Sequence, residues 1–99
     1  MQWGYVWGYN SMFLWDENKR AANLKKHGFD FIDASGLFDG RPIYTYPSPR
    51  HDEMRFVSVG VIQDITVAAV WIERDGAIRL ISLRRARDGE KRTYRELYG

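Results

Sequence analysis

The sequence contains no cysteine, which excludes disulfide bonds and thiolate metal sites. Histidine is nearly missing as well: there are two in 99 residues, without H-x-x-x-H spacing, so a dedicated zinc site has no ligand set to draw on. Any chemistry is therefore expected to run without metal or cofactor. Two of the three prolines fall in Pro47-Ser48-Pro49-Arg50-His51-Asp52-Glu53, the one polar, proline-bearing loop. No apolar run approaches the ~18 residues that would span a bilayer. The N-terminus has neither the basic start nor the small-residue cleavage site of a secretory signal, so a cytoplasmic location is expected.

What is present points to one soluble domain. With 44% apolar and 28% charged residues, a chain of this length buries roughly 60–70% of its unfolded surface. The net charge is only +2, but it is unevenly placed. From Arg79 onward there are seven Lys and Arg against three Asp and Glu, whereas residues 1–78 carry eight against ten. An end-loaded positive charge suggests an anionic partner.

Taken in order, residues 1–12 read as an aromatic arm, in which Trp3-Gly4-Tyr5 is repeated as Trp7-Gly8-Tyr9. Exposed rings of this kind either hold single-stranded bases or cover apolar surface on the domain or a partner. Residues 13–99 read as a single domain. Phe13-Leu14-Trp15 is a short strand, and Asp16 caps a helix from Glu17 to His27 that Gly28 stops. Ala21 and Leu24 supply that helix with its apolar stripe. A second short helix follows Asp30, with Phe31, Ala34 and Phe38 on one face and Leu37 beside them, and ends at Gly40. Ile43 to Tyr46 is an edge strand. Met54 to Gln63, Ile65 to Glu73 and Ala77 to Leu83 are strands joined so tightly that they pair antiparallel, and Glu90 to Tyr98 closes the chain as a helix. The expected fold is α+β: a short N-terminal strand and a two-helix hairpin packed on a four-stranded antiparallel meander, with a C-terminal helix.

Several of these segments together carry a resemblance. Phe13-Leu14-Trp15-Asp16-Glu17-Asn18-Lys19, Asn23-Leu24-Lys25-Lys26-His27-Gly28, Phe38-Asp39, Arg55-Phe56-Val57-Ser58-Val59-Gly60 and Arg79-Leu80-Ile81-Ser82-Leu83-Arg84-Arg85-Ala86, followed by Glu90 and Tyr94, resemble the BrnT family of bacterial toxins. The aromatic arm lies outside that pattern, and Asp88-Gly89 stands where family members often carry basic residues. The resemblance implies a RelE-like ribonuclease toxin of a type II toxin-antitoxin system, which cleaves RNA and inhibits translation. It also implies a ribbon-helix-helix antitoxin, BrnA-like, that neutralises the toxin; operator DNA is reached only through the antitoxin complex, and no membrane is involved.

A metal-free ribonuclease needs a group to take the proton of the RNA 2′-hydroxyl and donors for charge developing on the phosphate. Arginine suits the second role, since its planar fork donates two parallel bonds to phosphate oxygens. Arg84, at the family's arginine position, Arg79 and Arg55 are the candidates. By simple alternation Arg79 shares a side with the apolar Ile81 and Leu83, where it either acts in catalysis or pairs with a carboxylate such as Glu73. Tyr94 and His27 are candidate proton carriers, although Tyr94, Leu97 and Tyr98 also have the spacing of a helix-to-core stripe. Lys25, Lys26, Arg85, Arg87 and Lys91 are candidate RNA contacts. The alternative from another functional class is a basic protein- or RNA-binding module without catalysis.

Overall fold

Local signals set the helix ends. In the computed structural model, which describes residues 2–8 and 11–99, the Asp16 carboxylate accepts the Asn18 backbone N–H at 2.9 Å and opens helix α1, Glu17–His27. Gly28 closes it at φ 78°, a left-handed conformation that costs glycine nothing, with its N–H bonded to the Leu24 carbonyl. The second helix, Phe31–Phe38, is a 3-10 helix rather than an α-helix. Its buried residues are Phe31, Ala34 and Leu37, not Phe38, because a spacing of three puts them on one face at three residues per turn.

The sheet corrects the expected fold. It has six strands rather than a four-stranded antiparallel meander, and it is mixed. The strands are β1 (Trp3–Trp7), β2 (Met12–Asp16), β3 (Tyr44–Pro47), β4 (Phe56–Ile62), β5 (Ile65–Arg74) and β6 (Ala77–Arg85), in the spatial order β1-β2-β6-β5-β4-β3. Helix α2 spans Asp88–Tyr98. The β3 to β6 region is the expected meander, and its tight turns place Gln63 and Asp64, then Asp75 and Gly76, at positive φ, as two-residue hairpins require. The added strands come from the N-terminus. Residues 3–7 of the expected arm pair antiparallel with β2, and β2 pairs parallel with β6. Tyr9, the second tyrosine of the repeat, lies outside the described residues.

The parallel pairing of β2 and β6 covers only Phe13 with Ile78 and Leu14 with Arg79 before the chain turns into α1. A side chain then does the work of a strand. The Asn23 amide accepts the Leu83 backbone N–H at 3.1 Å, donates to the Leu83 carbonyl at 2.9 Å, and donates to the Phe29 carbonyl at 3.0 Å. Asn23 is the buried residue of α1, while Ala21 and Leu24 are exposed, so the expected apolar stripe does not dock this helix. Because Leu83 is buried, removing the amide leaves unpaired backbone groups with no route to water. Asn23→Leu is expected to lower stability by about 2–5 kcal/mol, read as a shift in the urea unfolding midpoint with an unchanged slope.

The two faces of the sheet have different covers. Phe13, Trp15, Leu80 and Leu83 lie beneath Phe31, Ala34 and Leu37 in the main core. Gly60 lets this layer close, since a Cβ there would stand 2.7 Å from Leu37 Cδ1 and 2.8 Å from Ile43 Cγ2. The opposite face, with Val57, Val59, Ala68 and Ala86, packs against Tyr94 of α2. Four tyrosine hydroxyls fasten α2 to β3 and the residues before it. Tyr44 donates to the Glu90 carbonyl, Tyr46 to the Glu90 carboxylate, Tyr94 to the Pro42 carbonyl and Tyr98 to the Ile43 carbonyl. Among the described residues, no helix is long and apolar enough to cross a membrane.

Candidate active site

The side chains of β6 are distributed by a bulge. Val70 pairs with Ser82 but Trp71 pairs with Leu80, so Ile81 is an extra residue and the alternation slips by one. Leu80 and Leu83 both face the main core, whereas Arg79, Ser82 and Arg84 share the other face with their partners Ile72, Val70 and Ala68. This corrects the expectation that Arg79 lies beside Leu83.

On that second face lies a cleft of about 270 Å³. The last turn of α1 brings Lys26 and His27, β6 brings Ser82 and Arg84, the proline-bearing loop brings Ser48 and Arg50, and the entry to β4 brings Arg55. Tyr46 and Arg87 complete the polar wall, with Val57 and Val70 in the floor. Six of the lining residues are basic and none is a carboxylate. Such a concave basic surface with a low-dielectric floor concentrates anions.

Glu90 lies behind the wall and organises it. Its carboxylate accepts two bonds from Arg84, at 2.8 and 3.1 Å, one from the Arg87 backbone N–H at 2.7 Å and one from the Tyr46 hydroxyl. The Glu90 side chain is 8% exposed and that of Arg84 14%, so this is an interior ion pair. Burial alone would raise the Glu90 carboxyl; the bonds from Arg84, Arg87 and Tyr46 outweigh it and hold the group at about 2. Arg84 also donates to the Arg85 carbonyl at 3.2 Å. Among the described residues these bonds engage three of the roughly five guanidinium N–H donors, and the Tyr46 side chain stands beside the rest. Across the cleft, burial and then the charges of Lys26 and Arg84 push the His27 imidazole below its usual range. Its neutral form therefore dominates at pH 7.

The sequence candidates separate by location. His27, Lys26, Arg55, Arg84 and Arg87 line the cleft together. Arg55 donates to Glu53 at 2.8 Å, and Lys26 and Arg87 have no salt bridge among the described residues. Arg79 lies toward the β1 edge, its guanidinium 4.8 Å from the Trp3 ring, rather than in the cleft or on Glu73. Tyr94 packs between α2 and the sheet, outside the cleft lining, its hydroxyl committed to Pro42. Lys25, Arg85 and Lys91 are exposed and outside the lining, and Arg85 lies on the core face, opposite to Arg84.

Arg50, Ser48, Tyr46 and Ser82 also line the cleft but do not stand out in the sequence. Arg50 lies in the loop that polar composition marks as an ordinary connection; an arginine between proline and histidine was its available signal. From the sequence Glu90 reads as a first-turn carboxylate or a partner of Arg84 to Arg87; the structure shows the pairing with Arg84 and the Arg87 N–H, and adds the long-range bond from Tyr46.

The family model described as a ribonuclease toxin, BrnT, of a type II toxin-antitoxin system matches residues 15–90. No curated protein matches the chain significantly. The matched segment contains α1, the proline-bearing loop, β6 and Glu90, and thus every residue that lines the cleft. By this match over three quarters of its length, the chain belongs to the BrnT family of ribonuclease toxins of type II toxin-antitoxin systems, and an antitoxin partner follows from that membership.

Proposed function

We propose that the basic cleft is the active site of a metal-independent endoribonuclease that inhibits translation in the cytoplasm. The observation that carries this reading is the placement of a neutral imidazole, His27, among cations with no carboxylate in the lining. The donor set suits proton transfer and charge stabilisation rather than metal coordination. In this scheme His27 takes the proton of the RNA 2′-hydroxyl as the 2′-oxygen bonds to phosphorus. Lys26, Arg50, Arg87 and the remaining donors of Arg84 stabilise the charge on the phosphate oxygens. The bond from phosphorus to the 5′-oxygen breaks, and that oxygen takes a proton from the solvent to which the cleft opens. The products are a 2′,3′-cyclic phosphate and a 5′-hydroxyl end. A ribbon-helix-helix antitoxin covering the cleft would silence this activity, and the adjacent reading frame should encode it.

Incubation of RNA with the protein in the presence of a metal chelator tests the reading. Cyclic phosphate ends are the expected result, and intact RNA, with or without ribosomes, overturns it. Combining Arg50→Ala with Arg87→Ala should weaken RNA binding and lower the slope of log affinity against log salt by about 1.4.

The second reading, a binding module without catalysis, draws on the ion pairs that occupy Arg84 and Arg55. It predicts that Arg84→Ala weakens RNA or partner affinity in a salt-dependent way and changes no product.

A further inference from the structure

Strand β1 has two unlike sides. Gly4 and Val6 face the core layer, where a Cβ on Gly4 would collide with Trp15 and Val6 packs against the main cluster. Trp3, Tyr5 and Trp7 face the other way and remain 41%, 69% and 71% exposed. These rings therefore do not cover the domain's own apolar surface. Successive rings stand about 7 Å apart along the strand.

Their face is also that of the cleft. Tyr5 pairs with Leu14, Leu14 with Arg79 and Arg79 with Ile72, so one row of the register runs from the aromatic edge into the cleft side of the sheet. Trp3 is one pair nearer the cleft, opposite Asp16, and β1 is two strand spacings, about 10 Å, from β6. A second hollow of about 300 Å³ continues from the cleft along α1. It shares Lys26, His27, Ile81 and Ser82 with the cleft and extends along α1 to Lys19. Beyond it stands Arg79, over Trp3.

We propose that this face holds single-stranded RNA flanking the bond to be cut. Lys26, Lys19 and Arg79 track the phosphates, while Trp3, Tyr5 and Trp7 stack unpaired bases. The inference rests on the reading of the cleft as an RNA-cleaving site. A row of cations leading to a row of exposed rings is the arrangement that holds single strands without sequence preference, and Arg79 on Trp3 supplies charge where stacking begins. The rings lie outside residues 15–90, so the subsite belongs to this chain's own N-terminal strand.

The test uses the double variant Tyr5→Ala and Trp7→Ala, whose rings are exposed enough for the fold to persist, as circular dichroism would verify. Binding is read by fluorescence anisotropy on a 2′-O-methyl oligonucleotide of about eight residues, which cannot be cut, and on a dinucleotide. The longer probe should lose affinity about tenfold or more, with recovery in the Tyr5→Phe and Trp7→Phe variant, while dinucleotide binding and cleavage change less than about twofold. Unchanged affinity for the longer probe overturns the proposal. So does loss of antitoxin binding with RNA binding intact, which would make the rings a protein-docking face. If the parent fails to cut the dinucleotide and the unmodified eight-residue RNA but still needs the rings to bind the longer probe, the reading of the cleft fails and the platform stands.

Discussion

Replacing Glu90 with alanine is expected to cost about 3–5 kcal/mol of stability, because it leaves Arg84 charged and unpaired in a nearly closed setting. The Arg87 N–H and the Tyr46 hydroxyl lose their acceptor in the same step. Urea unfolding at pH 7 reads the loss directly. The pH dependence separates charge from packing. The Glu90 carboxyl is lowered in the fold from an ordinary 4.5 to about 2, so its stabilisation is fully present above pH 4.5 and is lost as the pH falls toward 2. The shift corresponds to about 3 kcal/mol between those limits. Glu90→Gln should therefore remove the share of the parent's acid loss that Glu90 carries, leaving the shares of Asp30, Asp39 and Glu53, whose carboxyls Arg20, Arg41 and Arg55 also lower. A variant that loses stability in acid as steeply as the parent would show that other carboxylates govern the response.

Replacing His27 with alanine is expected to lower the RNA cleavage rate by about 10²–10⁴ with little change in RNA affinity. Burial and the neighbouring cations hold the imidazole below 6.5, so the neutral, proton-accepting form is available at pH 7. Activity of the parent should rise with pH through a value below 6.5 and then level off; it is lost as the pH falls, because the base becomes protonated. The His27→Ala variant should lack that limb. Tyr94→Phe, whose parent hydroxyl is held by the Pro42 carbonyl away from the cleft, should retain activity within about threefold. If the His27 variant cleaves at the parental rate and the Tyr94 variant does not, the proton carrier has been misassigned.

The parts of the fold legible in the sequence are those written by neighbours along the chain. Asp16 and Gly28 delimit α1, Asp75-Gly76 makes its hairpin, and the tight connections force β4, β5 and β6 into antiparallel register. The parallel contact of Phe13 and Leu14 with Ile78 and Arg79 joins residues far apart in the chain, and no local pattern announces it. The aromatic segment pairs with β2, itself legible as a strand, but Gly4 and Gly8 break its strand pattern and it reads as an arm. The bulge at Ile81 is equally silent, since Arg79 to Leu83 alternates well enough on paper to put Arg79 on the wrong face. The cleft was half legible for the same reason. Lys26, His27, Arg84 and Arg87 stand at element ends with visible positive charge, whereas Arg50 and Tyr46 reach it only through the return of the proline-bearing loop.

A single amide decides where the imidazole stands. Asn23 lies one helical turn before His27 and grips the Leu83 peptide, so the distance from imidazole to strand is set by a bond that also seals the interior. Under the proposed mechanism, proton transfer and folding are thereby tied to one anchor. Random mutation that slackens this anchor would blunt the toxin and unfold it together, which gives a cell relieved of its antitoxin few routes to a stable but harmless protein through this position.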